Sequence, residues 1–148
     1  MVTVITNISL VVDQVLTKFE LLKDKEYLLR PLAIETIPLM KERIHIEGQA
    51  SDGTQIGTYA NSYMRHRENA GRGESRKIIV ALTSQLEQDW SVLATTNGYG
   101  IGFNNSFNTE KARWVEENKK KIIFNLSADE KKYISERLQE LVDGAINS

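Results

Sequence analysis

The sequence predicts an α+β fold in which N-terminal helices and a C-terminal helix pack on a small, mainly antiparallel sheet. Apolar residues near both ends of the chain recur at three- and four-residue spacing, which is the period of an α-helix. In the centre, apolar and polar residues alternate, as in a strand with one buried face. The dipeptide Asn97-Gly98 separates two alternating runs and favours a tight hairpin turn. Helices placed around paired strands are typical of α+β folds.

The N-terminal third predicts two helical segments. The first runs from Ser9 to about Leu22, and the second runs from about Lys25 to Ile46. Pro31 and Pro38 lie inside the second segment, and each removes a backbone donor and crowds the preceding turn. The segment is therefore either one bent helix or two short helices. Its apolar stripe consists of Leu28, Leu29, Leu32, Ile37, Met40 and Ile44.

Residues 49–77 are predicted to form a long flexible loop, because they include several glycines and many polar residues but few large apolar ones. The second half is basic, with five cationic side chains against Glu68 and Glu74, a local charge of +3. These cations could contact the phosphates of DNA or RNA. Aromatic stacking platforms are absent between them, so a solvated or protein-docking loop is the favoured interpretation. The candidate contact residues are Arg65, Arg67, Arg72, Arg76 and Lys77.

The sheet is predicted from residues 76–103 and 121–125. Residues 77–82 and 122–124 are rich in β-forming side chains, and residues 89–96 alternate before the Asn97-Gly98 turn. On the return strand, Gly100 and Gly102 share one face and leave room for a close neighbour. A single helical turn is expected at 83–88. Four aromatic residues in and after this region are candidate interface anchors: Trp90, Tyr99, Phe103 and Trp114. For the two tryptophans, a place in the core is the alternative.

The C-terminal part predicts two helices. A short helix covers Asn108–Asn118, with its first residue as N-cap and Trp114 as its apolar anchor. Ser127-Ala128-Asp129-Glu130 forms a capping box that starts the final helix. This helix is expected to run to about Ala145, with Gly144 as its end signal. Its apolar stripe consists of Ile134, Leu138, Leu141 and Val142.

Length and composition restrict the class of protein. The 148 residues suit a single domain, 1–148. A net charge of −1 argues against a surface built throughout for nucleic acid. The absence of cysteine excludes disulfides and thiolate metal sites. The sequence shows no signal peptide, and no apolar run approaches the roughly 20 residues that span a bilayer. We therefore expect a protein that is made and stays in a cytoplasm, without a membrane.

No catalytic constellation is recognisable in the sequence. His45 lies between two isoleucines and is expected to be packed or to cap a helix, whereas His66 is expected to be solvated. The neighbouring acids Glu116-Glu117 and Asp129-Glu130 are interpreted as solvated surface. The glycines after the hairpin turn do not open a helix, as a dinucleotide-binding loop requires. We expect no enzyme activity, no cofactor and no metal site.

A set of short motifs resembles a known family when it is taken in order. The motifs are Ile46-Glu47-Gly48 after the helices, then Leu82–Leu86, Trp90-Ser91-Val92, Gly98–Phe103 and finally Ile123–Glu130. Over residues 25–142 this order resembles the phage virion morphogenesis family, which comprises tail-completion and head–tail connector proteins. Two departures leave the subfamily open. Ser84 stands where relatives often have glycine, and residues 108–114 replace a tyrosine–alanine pair followed by histidine and glycine.

The resemblance implies a structural protein of the bacteriophage head–tail junction that forms a homo-oligomeric ring. It implies contacts with connector, portal-side or tail-tube proteins, contact with packaged DNA through the basic segment, and a location in the virion after assembly in the host cytoplasm. Tail terminator, tail-completion protein and connector component stay open. One rival interpretation is a small nucleic-acid-binding protein using residues 65–77. Another is a hydrolase or nuclease whose activity depends on His66.

Overall fold

The fold is α+β, as predicted. The computed structural model describes residues 4–8, 12, 25–73, 75–80, 85–96 and 98–146, so the predicted helix Ser9–Leu22 lies almost wholly outside the described residues. The strands are β1 (Val4–Asn7), β2 (Trp90–Thr95) and β3 (Gly98–Phe103). The helices are α1 (Lys25–Lys41), which continues into a π-helical turn (Glu42–Ile46), α2 (Asn61–Asn69), α3 (Gln85–Gln88), α4 (Ser106–Lys119) and α5 (Ala128–Ile146).

The sheet has three antiparallel strands in the order β1-β3-β2, so β3 is the central strand. Strand β1 was not expected, although its residues Val4-Ile5-Thr6 are all β-branched and favour a strand. The predicted hairpin is present, with Thr95 paired to Gly98, which begins β3. Gly98 is therefore a paired strand residue and not a turn residue as predicted, whereas Asn97 lies outside the described residues.

Residues 76–80 and 121–125 do not extend the sheet. Lys77 forms only an isolated bridge with Thr58. In the second segment the backbone groups are satisfied by side chains instead of a neighbouring strand. The Glu116 carboxylate accepts hydrogen bonds from the amides of Ile123 and Phe124, at 2.7 and 3.2 Å. Both predicted strands are therefore wrong, and so is the prediction that Glu116 is merely solvated.

Helix α1 is one continuous helix that runs through both prolines. This outcome selects the single helix from the two alternatives left open by the sequence. Its predicted stripe is buried, apart from the partly buried Ile37, and packs on the sheet and on α5. Burial of such side chains contributes about 1.5–3 kcal/mol each, which offsets the backbone bonds lost at the prolines. In the π-helical turn three consecutive residues are buried: Arg43, Ile44 and His45.

The segment 49–77 is not an uninterrupted loop, because it contains α2. Met64 and Arg67, one helical turn apart, are buried and anchor this helix to the domain. The prediction of a loop is wrong for residues 61–69. In the sequence, the buried pair stands among polar residues, so no apolar stripe indicates a helix there. Mobility of this segment in the free monomer stays a prediction.

Helix α4 begins earlier than predicted. Asn105 is its N-cap, and its Oδ1 accepts a hydrogen bond from the amide of Phe107 at 2.9 Å. Asn108, predicted to be the cap, is buried and donates from Nδ2 to Asp89. The single helical turn expected at 83–88 is present as α3 for Gln85–Gln88.

Helix α5 has the predicted capping box and the predicted extent, which was to about Ala145. The Glu130 amide lies 3.2 Å from Ser127 Oγ, and the Ser127 amide lies 3.0 Å from Glu130 Oε1. The helix continues past Gly144 to Ile146, so the prediction that Gly144 is its end signal is wrong.

Three aromatic rings connect the hairpin to the segment before α5. Centroids of Trp90 and Phe103 are 4.7 Å apart, and Phe124 lies 6.0 Å from both.

Gly48 closes the first helix in a backbone conformation that a side chain would disturb. Its φ is +68°, and a Cβ placed there would lie 2.4 Å from the Ile78 carbonyl oxygen. Gly53 has a similar φ of +84° with open space around it. We expect Gly53→Ala to lower the free energy of unfolding by about 1 kcal/mol, through backbone strain alone. Gly48→Ala should cost about 2 kcal/mol or more, because a steric clash is added. Urea denaturation of both variants measures the difference, and equal losses would contradict the close approach.

Candidate functional site

A buried ion pair joins the end of α1 to the start of α5. Arg43 Nε lies 2.6 Å from Glu130 Oε2, and both side chains are almost inaccessible to solvent. The remaining guanidinium N–H groups reach Glu130 Oε1 and the backbone carbonyls of Gln49, Ile123 and Asn125, at 2.9–3.2 Å. All five donors of the arginine are therefore used. Because Glu130 is buried and paired, the prediction that it is solvated is wrong. The pair holds the fold together and presents no group to a ligand.

His45 is packed, as the sequence indicated, and is held in one neutral form. Its Nδ1 lies 3.1 Å from the Ile79 carbonyl oxygen, and its Nε2 accepts a hydrogen bond from Trp90 Nε1–H at 2.9 Å. The proton therefore sits on Nδ1. The pKa of His45 is lowered from 6.5 to about 4, mainly by burial; the hydrogen bond to the Ile79 carbonyl opposes this shift, and the charge of Lys41 adds to it. His45 is a structural residue at physiological pH.

The five basic candidates do not form one surface. Arg67 is only 1% exposed, and its guanidinium lies 4.4 Å from the centroid of the Tyr59 ring, so it cannot take part in a surface contact with phosphates. Arg72 lies 3.7 Å from Glu87, and Arg76 donates to the Tyr59 carbonyl. Arg65 and Arg76 are exposed, whereas Arg72 and Lys77 are partly buried. The prediction is therefore wrong for Arg67.

The four aromatic candidates divide between core and surface. Trp90 and Phe103 are buried in the aromatic cluster, because they pair across the hairpin on its inner face. Trp90 is therefore a core residue, one of the two roles left open by the sequence, and the prediction that Phe103 anchors an interface is wrong. Tyr99 is partly buried against the core. Trp114 is 62% exposed, so it does not anchor α4 to the core as predicted.

An open, mostly apolar groove lies between α2 and α4, next to Trp114. It has a volume of about 610 Å³. Tyr63, 39% exposed, lies on its α2 side, and Val80 and Leu86 are also among its lining residues. Lys111 and Lys119 line it from α4, whereas Glu87 is the one carboxylate among its described lining residues. The groove is therefore an aromatic surface with an excess of positive charge. The sequence offered only Trp114 as a signal of it, since its two sides are about fifty residues apart.

The outer face of α4 extends this aromatic surface. Phe107 is 71% exposed and lies seven residues, or two helical turns, before Trp114. Two exposed aromatic side chains on one face of a helix are unusual for a monomeric surface and typical of protein interfaces.

A second exposed apolar surface lies on the outer side of α1 and its π-helical turn. Ile34 and Ile46 are 52% and 68% exposed, and Pro38 lies exposed between them at four-residue spacing. The carboxylates of Glu42 and Glu47 are exposed beside Ile46. We call Ile34, Pro38, Glu42 and Ile46 the outer stripe. It belongs to a helix that packs on the sheet and α5.

Comparison of the chain with protein-family models, with curated proteins and with solved structures finds no match. Among the residues that the structure describes, no three His, Asp or Glu side chains are grouped so that they could hold a metal ion. No helix in the described part of the chain is both long and apolar enough to cross a membrane.

Proposed function

We propose that this protein is a structural subunit of the bacteriophage head–tail junction, of the tail-completion, tail-terminator or connector type, and that it assembles into a ring. The observation that carries the proposal is the exposed aromatic groove with Trp114 at its edge. A soluble chain seldom leaves a tryptophan and a neighbouring tyrosine exposed unless a partner covers them. A subunit of an assembly needs such a surface and needs no catalytic group.

The order of short motifs supports the same assignment. Ile46-Glu47-Gly48 ends the first helix, and the positive φ of Gly48 explains why a glycine stands there. The hairpin and the capping box follow in the order that resembles the phage virion morphogenesis family. These features concern the fold, and the groove adds the surface on which assembly would depend.

The proposal predicts that the purified full-length chain forms closed rings. Light scattering after size-exclusion chromatography and negative-stain microscopy measure this. Trp114→Ser should shift the protein towards monomers, because loss of a central tryptophan weakens an interface by about 2 kcal/mol or more. Ile122→Ser is the matched control, since Ile122 is 60% exposed but lies outside the groove. Mass spectrometry of purified phage particles tests the location.

Two outcomes would contradict the proposal. A chain that stays monomeric at every accessible concentration would remove the ring, and absence of the chain from purified particles would remove its place in the virion. If Trp114→Ser assembled as well as Ile122→Ser, the groove would not be the contact surface.

A further inference from the structure

The two exposed apolar surfaces of this chain differ in shape and in charge. The groove between α2 and α4 is concave and carries Lys111 and Lys119 against the carboxylate of Glu87. The outer stripe is a convex helix face, with Glu42 and Glu47 exposed at its Ile46 end. A concave cationic surface and a convex acidic one complement each other better than either complements itself.

The two surfaces belong to different helices. Helix α1 packs on α5 and the sheet, whereas α4 packs on β3, and α1 and α4 have no extensive mutual contact. Two different complementary surfaces on one chain generate a head-to-tail contact, which closes into a ring when the rotation between subunits allows it.

We propose that the groove receives the outer stripe of a second copy of this chain, with Ile46 packed beside Trp114 and with Glu42 and Glu47 facing Lys111 and Lys119. The inference rests on the proposed ring assembly and specifies its interface. The apolar residues supply most of the affinity, whereas the charges select the direction of the contact. The groove and the stripe of each subunit are then used by two different neighbours.

A complementation experiment tests this interface. Trp114→Ser removes the groove contact, and Ile46→Lys removes the stripe contact without touching the core, since Ile46 is exposed. Each variant alone should be monomeric, with self-association weakened at least about 30-fold. Mixed together, they should form a one-to-one dimer that grows no further, because the pair retains one intact groove and one intact stripe. Ile122→Lys is the control for adding a charge to an exposed apolar site. Circular dichroism verifies the fold of every variant.

A charge exchange provides a second, independent readout. Glu47→Lys and Lys119→Glu should each weaken assembly, and the two changes combined in one chain should restore part of it at low salt. The restoration should disappear in high salt, because exposed charges are then screened.

The possible results distinguish a failure of this interface from a failure of the proposed function. If the parent chain is monomeric, the ring itself fails. If the parent forms rings and Ile46→Lys forms them equally well, the ring stands and the stripe is not its contact. If the mixture of variants stays monomeric, the contact is not head-to-tail between these surfaces. Binding of a labelled single-stranded oligonucleotide that is lost in Trp114→Ser would assign the groove to nucleic acid and would overturn a second copy as its occupant.

Discussion

Replacing Arg43 by methionine should lower the free energy of unfolding by about 3–5 kcal/mol, because it leaves the buried Glu130 carboxylate without its charged partner. The same change also removes hydrogen bonds from three backbone carbonyls, including those of Ile123 and Asn125. Urea denaturation followed by tryptophan fluorescence measures the loss. A domain of this size is stable by only about 5–15 kcal/mol, so the variant should be close to unfolding.

Matched variants show whether burial of the Arg43–Glu130 pair causes this loss of stability. Arg43→Lys keeps the charge but cannot provide five donors in one plane, so it should lose part of the stability. Arg137→Met breaks contacts with Glu35 and Glu140 that solvent reaches, and it should cost much less stability than Arg43→Met. The double variant Arg43→Met with Glu130→Gln should cost less than the sum of the single changes, since both act on one pair. A loss of under about 1 kcal/mol for Arg43→Met would show that the pair contributes no more than a surface ion pair.

Acid should destabilise the protein through His45. In the unfolded chain this histidine binds a proton near pH 6.5, whereas burial lowers its pKa in the folded state to about 4. Between these values protons bind preferentially to the unfolded chain. The His45 contribution is therefore fully present above about pH 7, falls as the pH drops from 6.5 to 4, and levels off below 4. The loss corresponds to about 3 kcal/mol.

Denaturation curves at a series of pH values test this prediction. In His45→Gln, the part of the acid sensitivity that comes from this site should disappear. The variant will also be less stable at neutral pH, because Trp90 Nε1–H and the Ile79 carbonyl lose their partner. His66→Gln is the matched control, since it removes an exposed histidine that contacts neither group. A parent and a His45→Gln variant with parallel profiles between pH 4 and 6.5 would contradict the prediction.

Local patterns predicted the elements that depend on local interactions. The buried stripe of α1, the alternation of β2 and β3 and the Ser127–Glu130 capping box follow from side-chain spacing and from groups within a few residues of one another. The strands predicted at 77–82, which the structure describes up to Val80, and at 121–125 are absent for a different reason. Their composition favours strands, but side chains and carbonyls outside the sheet satisfy their backbone groups in the folded chain.

The sequence indicated less of the candidate site than of the fold. Arg67 has the charge of a surface residue, and only the packing of α2 against Tyr59 decides that it is buried. Trp114 has the character of a core anchor, yet it faces solvent because the inward face of α4 is filled by smaller residues, including Asn108, Thr109 and Ala112. Spacing along one helix cannot distinguish these cases, since the neighbour that buries a side chain comes from another part of the chain.

By itself, the sequence determined that this is a small α+β domain with helices around a hairpin, without cysteine chemistry and with a nearly balanced net charge. Periodicity and composition are sufficient for these statements because each depends on neighbours in the chain or on totals. The tertiary structure alone decided which charges are buried and which aromatic residues meet. Arg43 and Glu130 are 87 residues apart, and the groove brings α2 to α4, so no local pattern encodes either arrangement.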